Sequence, residues 1–170
     1  MVIKNLIFGI SMVAATICFA YPLPADQIRF DGLGDLKIGQ TFGEVSKLMP
    51  NEIFPVAPSL RASSDCYHVS SVNQPGMALM FQNEHLVRID LTKPLFRTSI
   101  GVGIGDDFDA LKLRYHEAVL KPTDVATEEK QVTIVSPDKH YAFRFYFDES
   151  RIDSISAGQV DAVALDEGCY

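Results

Sequence analysis

Apolar and polar positions alternate with period two in several short stretches and fall at helical spacing in two others. Tyr141, Phe143, Phe145 and Phe147 share one side of an extended segment, and Ala142, Arg144, Tyr146 and Asp148 share the other. Extended segments are predicted over 66–71, 77–82 and 86–91, and again over 132–136, 143–148 and 152–157. The polar quartets Gln82-Asn83-Glu84-His85 and Asp148-Glu149-Ser150-Arg151 supply hairpin turns. Helical spacing appears where Phe42, Val45, Leu48 and Met49 line one face, and where Phe108, Leu111 and Tyr115 line another. Thr41-Phe42-Gly43-Glu44 has the capping-box form, Asp106 or Asp107 caps the second helix, and Pro50 ends the first.

These elements recur at a fixed offset of 66 positions, from Ile38 to Ile104. Ile38-Gly39-x-x-Phe42 returns as Ile104-Gly105-x-x-Phe108, Val69-Ser70 as Val135-Ser136, Phe81 as Phe147 and Ile89 as Ile155. Conservative partners keep the same register: Leu36 with Val102, Val45 with Leu111, Leu79 with Phe145, Leu86 with Ile152. The matches are ungapped and sit at apolar positions that set structure, so the chain reads as a duplication. Each copy opens with a short strand, at 34–38 or 100–104, ended by a glycine. The expected fold is therefore α+β. Two tandem β-α-β-β-β repeats, at 21–96 and 97–170, form a curved antiparallel sheet with two helices on its aromatic face.

Residues 1–20 stand apart from this pattern. Lys4 precedes an apolar run from Leu6 to Ala20, with small side chains at Cys18 and Ala20, which is the form of a cleaved signal peptide. A lipoprotein signal acylated at Cys18 is the rival reading, with Ile17 the departure from its pattern. Either implies export to the periplasm or beyond, with no membrane span in the mature protein. Removing the single leader lysine takes the net charge from −7 to −8 over the remaining 150 residues. That balance offers no footprint for nucleic acid or anionic lipid. Export also gives Cys66 and Cys169 a reason to pair, since disulfides persist in oxidising compartments. Two free thiols are the competing reading, with acidic Asp166 and Glu167 beside Cys169 weighing against an activated thiolate.

Catalytic and metal chemistry leave little trace. His68, His85, His116 and His140 lack metal-ligand spacing, and no Gly-x-Ser-x-Gly elbow exists. Gly101, Gly103 and Gly105 suggest turn glycines rather than a phosphate loop, because Asp106-Asp107 follows directly. Asp106-Asp107-x-Asp109 suits a helix start better than a calcium loop, and Asp161 with Asp166-Glu167 suits a solvated tail. No cofactor and no metal are expected.

Binding surfaces are better represented. Met80, Arg88, Asp90, Arg144 and Tyr146 are expected to project from the sheet face away from the helices, and Tyr, Arg and Met are enriched at interfaces. The 51–64 connection carries Phe54-Pro55-Val56-Ala57-Pro58-Ser59-Leu60, is too long for a hairpin turn, and places Phe54 where a partner could meet it. The candidate partner-binding residues are thus Phe54, Met80, Arg88, Arg144 and Tyr146.

The Ile-Gly-x-x-Phe-x-x-Val/Leu opening, followed by a short helix and a meander, resembles the tandem fold of the β-lactamase-inhibitor proteins. The single unit is similar to the outer-membrane assembly lipoproteins of the SmpA/OmlA (BamE) type. The resemblance spans most of 34–157. It departs from the inhibitor pattern in having one bridge from repeat one to the tail instead of a bridge within each repeat. What it implies is an exported scaffold that binds another envelope or secreted protein as an inhibitor, immunity protein or assembly accessory, and not an enzyme. A small periplasmic hydrolase built on a histidine, or a small-molecule or glycan-binding module, are the alternatives.

Overall fold

The computed structural model describes residues 27–122 and 130–169. The expected leader at 1–20 and its Cys18 lie outside the described residues, as do 123–129. Eleven strands and three helices follow one another along the described chain, with a short 3-10 turn at Pro58–Leu60. The architecture is mixed α+β, in two sheets rather than one.

The larger sheet has seven strands. In chain order they are β4 (Cys66–Ser70), β5 (Met77–Gln82), β6 (His85–Leu91), β8 (Lys121–Pro122), β9 (Lys130–Val135), β10 (Tyr141–Asp148) and β11 (Arg151–Gln159). Their spatial order is β4-β5-β6-β11-β10-β9-β8, antiparallel throughout, so two meanders meet at β6 and β11. The β5–β6 hairpin closes with a two-residue loop because Asn83 and Glu84 both adopt positive φ, at 50° and 64°, matching the twist of the flanking strands. At the seam Asp90 faces Ser156, while Leu91 faces Ile155 and Ile89 faces Ala157. Gly158 is required here: a Cβ on it would lie 2.1 Å from the Val87 carbonyl oxygen.

Helices α1 (Phe42–Leu48) and α2 (Phe108–Arg114) are each seven residues long and pack on one face of this sheet. Thr41 and Glu44 form the full capping box on α1, and Asp107 caps α2 by accepting from the Ala110 N–H at 2.8 Å. Val45 and Met49, with Leu111 and Tyr115, bury themselves against Leu79, Phe81, Phe143 and Phe145. Local features return 66 positions later. Gly39 donates to the Leu86 carbonyl and Gly105 to the Ile152 carbonyl. A strand irregularity falls at Met80/Phe81 and again at Tyr146/Phe147. Phe42 meets Phe81 edge-on, and Phe108 meets Phe147 in the same way.

Three expectations need correction. The opening strands do not join the main sheet. Around 34–38 the chain makes a tight hairpin of β2 (Gly32–Leu33) and β3 (Leu36–Lys37), which forms a second, four-stranded sheet with β1 (Gln27–Arg29) and β7 (Arg97–Thr98). Residues 100–104 are no strand. Gly101, at φ 88°, and Gly105, at φ 92°, bend the backbone into turns, and an isolated bridge from Arg97 to Gly103 is the only pairing there. Lastly, a third helix, α3 (Val160–Val163), lies on the sheet face opposite α1 and α2. That face is not open.

Candidate functional site

Closure of the second face begins with Cys66. Its neighbour Tyr67 points into the aromatic core, so strand alternation puts Cys66 on the other side. Cys66 is bonded to Cys169, with Cα atoms 5.6 Å apart, and the bond draws the end of the chain onto that face. Ala162 and Cys169 then pack with Met80 and Val87 in a small apolar cluster separate from the main core.

Two arginines hold the rest of the segment. The Arg88 guanidinium donates from Nη1 to the carbonyls of Ala162 at 2.9 Å and Leu165 at 2.7 Å, which also accept the Leu165 and Gly168 N–H groups, and so fastens the chain at the end of α3. Its Nε contacts both oxygens of Asp90, at 2.9 and 3.0 Å. Arg144 donates to the Ala164 carbonyl at 3.3 Å and forms an ion pair with Asp166. The sheet residues expected to meet a partner therefore serve the chain's own tail. Met80 is 0 % exposed, Arg88 5 % and Arg144 7 %, so all three are corrected from surface to interior. Tyr146 is half-buried and borders a cleft of about 380 Å³ with Asp148, Asp153 and Asp166. Asp166 is correspondingly no solvated tail residue, because Arg144 draws its carboxylate inward; Asp161 and Glu167 remain exposed.

This face also gathers a serine, an aspartate and a histidine. Ser156 Oγ donates to Asp90 at 2.6 Å, while His68 Nε2 lies 4.0 Å from the same carboxylate. A nucleophilic triad needs the serine bonded to the imidazole and the imidazole to the acid. Here the acid stands between them, so Ser156 is bonded to the Asp90 carboxylate and not to the His68 imidazole that would take its proton in a triad. Burial pushes the His68 imidazole below its usual pKa, against the pull of Asp90. The other three histidines are exposed. Among the described residues no cluster of three or more His, Cys, Asp or Glu side chains is arranged to hold a metal ion.

The 51–64 connection is a different kind of surface. Ile53 is buried and Val56 packs on the core, which fixes the path of the loop. Phe54 between them is 56 % exposed, and Leu60 on the 3-10 turn is 78 % exposed. Arg61 then ties the loop down. Its guanidinium stacks 4.0 Å over the Tyr67 ring, donates to the Val56 carbonyl at 3.1 Å, and pairs with Glu84 at 2.6 Å. Tyr67 donates its hydroxyl to the other Glu84 oxygen at 2.8 Å. Burial and that carboxylate push the Tyr67 hydroxyl up to about 12, and Arg61 holds Glu84 below the usual carboxylate range. Apolar side chains are thus presented to water on a stiffened loop, a combination that suits recognition with little ordering cost.

Of the five candidate partner-binding residues, only Phe54 stands well exposed. Leu60 and its anchor Arg61 complete that surface, and neither is among the residues singled out from the sequence. Leu60 shares the Pro58-Ser59-Leu60 stretch that marked the loop, so the signal was present. Arg61 gave none, since its partners Tyr67 and Glu84 come together only in the folded chain. No membrane-crossing helix is present among the described residues, none being long and apolar enough. Compared with known proteins, the chain matches no family model, no curated protein and no solved structure.

Proposed function

We propose that this chain is an exported, non-enzymatic scaffold that binds another envelope or secreted protein through its 51–64 loop, as an inhibitor, immunity protein or envelope accessory. The observation that carries the reading is the exposure of Phe54 and Leu60 on a loop braced by Arg61, Tyr67 and Glu84. Hot spots of protein interfaces are enriched in aromatic residues and arginine and cluster near the centre of the patch, which makes Phe54, beside the braced Arg61, the expected anchor and Leu60 its apolar surround. Export is supported by the Cys66–Cys169 disulfide, of a kind rare in reducing compartments, together with the signal-like pattern of 1–20. A non-enzymatic role is supported by the order of Ser156, Asp90 and His68, which leaves the serine unactivated.

The scaffold itself is read as two tandem repeats, 21–96 and 97–170, related to the β-lactamase-inhibitor fold and to the single SmpA/OmlA unit. Support comes from the equal spans of α1 and α2, the paired caps at Thr41 and Asp107, and the twin irregularities at Met80/Phe81 and Tyr146/Phe147. The seam adds to it: Asp90 and Ser156, which are 66 positions apart, face each other where a two-fold axis between the copies would pass. Gene duplication would then have supplied a wide sheet, and divergence between 51–64 and its counterpart near 121–130 would have left one binding loop.

The test is affinity capture of partners from envelope extract with the wild-type protein, the Phe54→Asp and Leu60→Asp variants, and Tyr146→Ala. A saturable partner lost in both loop variants and kept by Tyr146→Ala supports the proposal. A partner retained by both loop variants overturns it.

A further inference from the structure

The 51–64 loop is apolar through its middle, at Phe54 and Leu60, and acidic where it begins and ends. From 51 to 65 Arg61 is the sole cation, against Glu52 and Asp65. That cation is already spent. The Arg61 side chain is 16 % exposed, lies over the Tyr67 ring and pairs with Glu84, whose own side chain is 55 % exposed. The pair therefore shows solvent mainly its carboxylate. Three carboxylates against one guanidinium leave two negative charges in excess around the exposed apolar side chains.

These charges have fixed positions. Ser71 Oγ donates to Glu52 at 3.2 Å, Ser63 and Ser64 donate to Asp65 at 2.9 and 3.3 Å, and the Tyr67 hydroxyl donates to Glu84 at 2.8 Å. The Ser63 hydroxyl holds Asp65 below the usual carboxylate range, and Arg61 does the same for Glu84, so both are ionised at neutral pH. Their distance from the apolar side chains is set by one guanidinium. Arg61 Nε donates to the Val56 carbonyl at 3.1 Å, while its Nη1 reaches Glu84 at 2.6 Å and the Ser64 carbonyl at 3.5 Å. The Asn83 N–H, donating to the Asp65 carbonyl at 2.7 Å, ties the Glu84 turn to the end of the loop. Phe54 is two residues from Val56, and Leu60 adjoins Arg61, so the charges act on whatever meets them within about one screening length of 10 Å.

We infer that the loop takes a basic segment of its partner, in which lysine or arginine side chains flank the apolar residues that meet Phe54 and Leu60. The inference rests on the loop being the binding surface and adds the charge of what binds there. Charge matching of this kind selects the partner and speeds its arrival more than it adds to total affinity, and an acidic segment with the same apolar residues is repelled.

Titration of the full protein with the acetylated, amidated peptide Lys-Leu-Lys-Phe-Lys, followed by amide chemical shifts in NMR, tests it. Glu-Leu-Glu-Phe-Glu, blocked in the same way, keeps the apolar residues and reverses the charge. The expected result is saturable shifts at Phe54, Leu60, Asp65 and Glu84 with the lysine peptide, and binding at least about tenfold weaker for the glutamate peptide. Raising salt from about 20 to about 300 mM is expected to weaken the lysine peptide by at least about threefold. Glu52→Gln and Asp65→Asn together keep an oxygen for each serine and remove two charges, and are expected to weaken the lysine peptide by at least about threefold. Phe54→Ala is expected to weaken both peptides. Equal binding of the two peptides, or an affinity unchanged by Glu52→Gln with Asp65→Asn, overturns the basic segment and leaves the loop standing as a binding surface. Lysine-peptide binding that is unchanged by Phe54→Ala overturns the loop itself, and this inference with it. Absence of saturable shifts with either peptide overturns the inference.

Discussion

Replacing Cys66 and Cys169 together by serine isolates what the disulfide contributes. The two residues are 103 positions apart, so the bond closes most of the described chain into one loop. In the chain-entropy account a loop of that size restricts the unfolded ensemble by about 4.7 kcal/mol. For a protein of this length each kcal/mol moves the melting temperature by about 2–4 °C, so the expected fall is roughly 10–19 °C. The native tail is expected to stay docked, because Arg88 still caps Ala162 and Leu165, Arg144 still holds Asp166, and Ala162 and Val163 remain buried. Scanning calorimetry gives the fall, and amide hydrogen exchange at 160–165 reports docking below the transition. A fall of less than about 5 °C would refute the loop-entropy reasoning. Loss of exchange protection at 160–165 in the folded variant would instead show that the arginines do not hold the tail.

Other perturbations probe separate parts of the fold. Asp166→Ala leaves the Arg144 guanidinium buried without its carboxylate and should cost about 3 kcal/mol in urea denaturation, whereas Glu167→Ala beside it should cost little. Gly158→Ala drives a Cβ into the Val87 carbonyl at the seam and should cost about 2 kcal/mol or more, measured the same way. Acidification should act through His68. Burial lowers its folded pKa below the ordinary imidazole value of about 6.5, so the neutral ring's contribution is present above that value and is lost as pH falls through the lower folded one. Melting temperature should therefore decline on the acid side of about pH 6.5, and His68→Gln should flatten that slope; an unchanged slope would assign it to other groups.

Much of the main sheet was legible because its signals are local. Period-two alternation located β5 at Met77–Gln82, and Thr41 with Glu44 located the start of α1, since a cap and a pleat are decided by neighbours a few residues apart. The pairing of β1 with β7 was hidden, because it joins Gln27 to Arg97 through contacts that no local pattern encodes. The closed second face was hidden for a similar reason. Val160–Val163 is a single helical turn, too short to show a periodicity, and Arg88 and Arg144 in strands resemble surface residues until acceptors arrive from 74 and 20 positions away. One clue was available: Cys66 alternates with core-facing Tyr67, so any bridge from it had to bring Cys169, and with it the tail, over the opposite face. The loop site was half legible. Proline and apolar residues marked 51–64 as unusual, but the brace that exposes Phe54 and Leu60 depends on a tertiary Arg61–Glu84 pair.

The claim that the braced loop meets a protein partner is tested most directly by photo-cross-linking in the native envelope, with a benzophenone amino acid placed singly at positions 54, 60 and 153. The account predicts one discrete protein adduct from positions 54 and 60 and none from exposed position 153 on β11. An adduct at 153 with none at 54 and 60, or no adduct from any of the three, would contradict it.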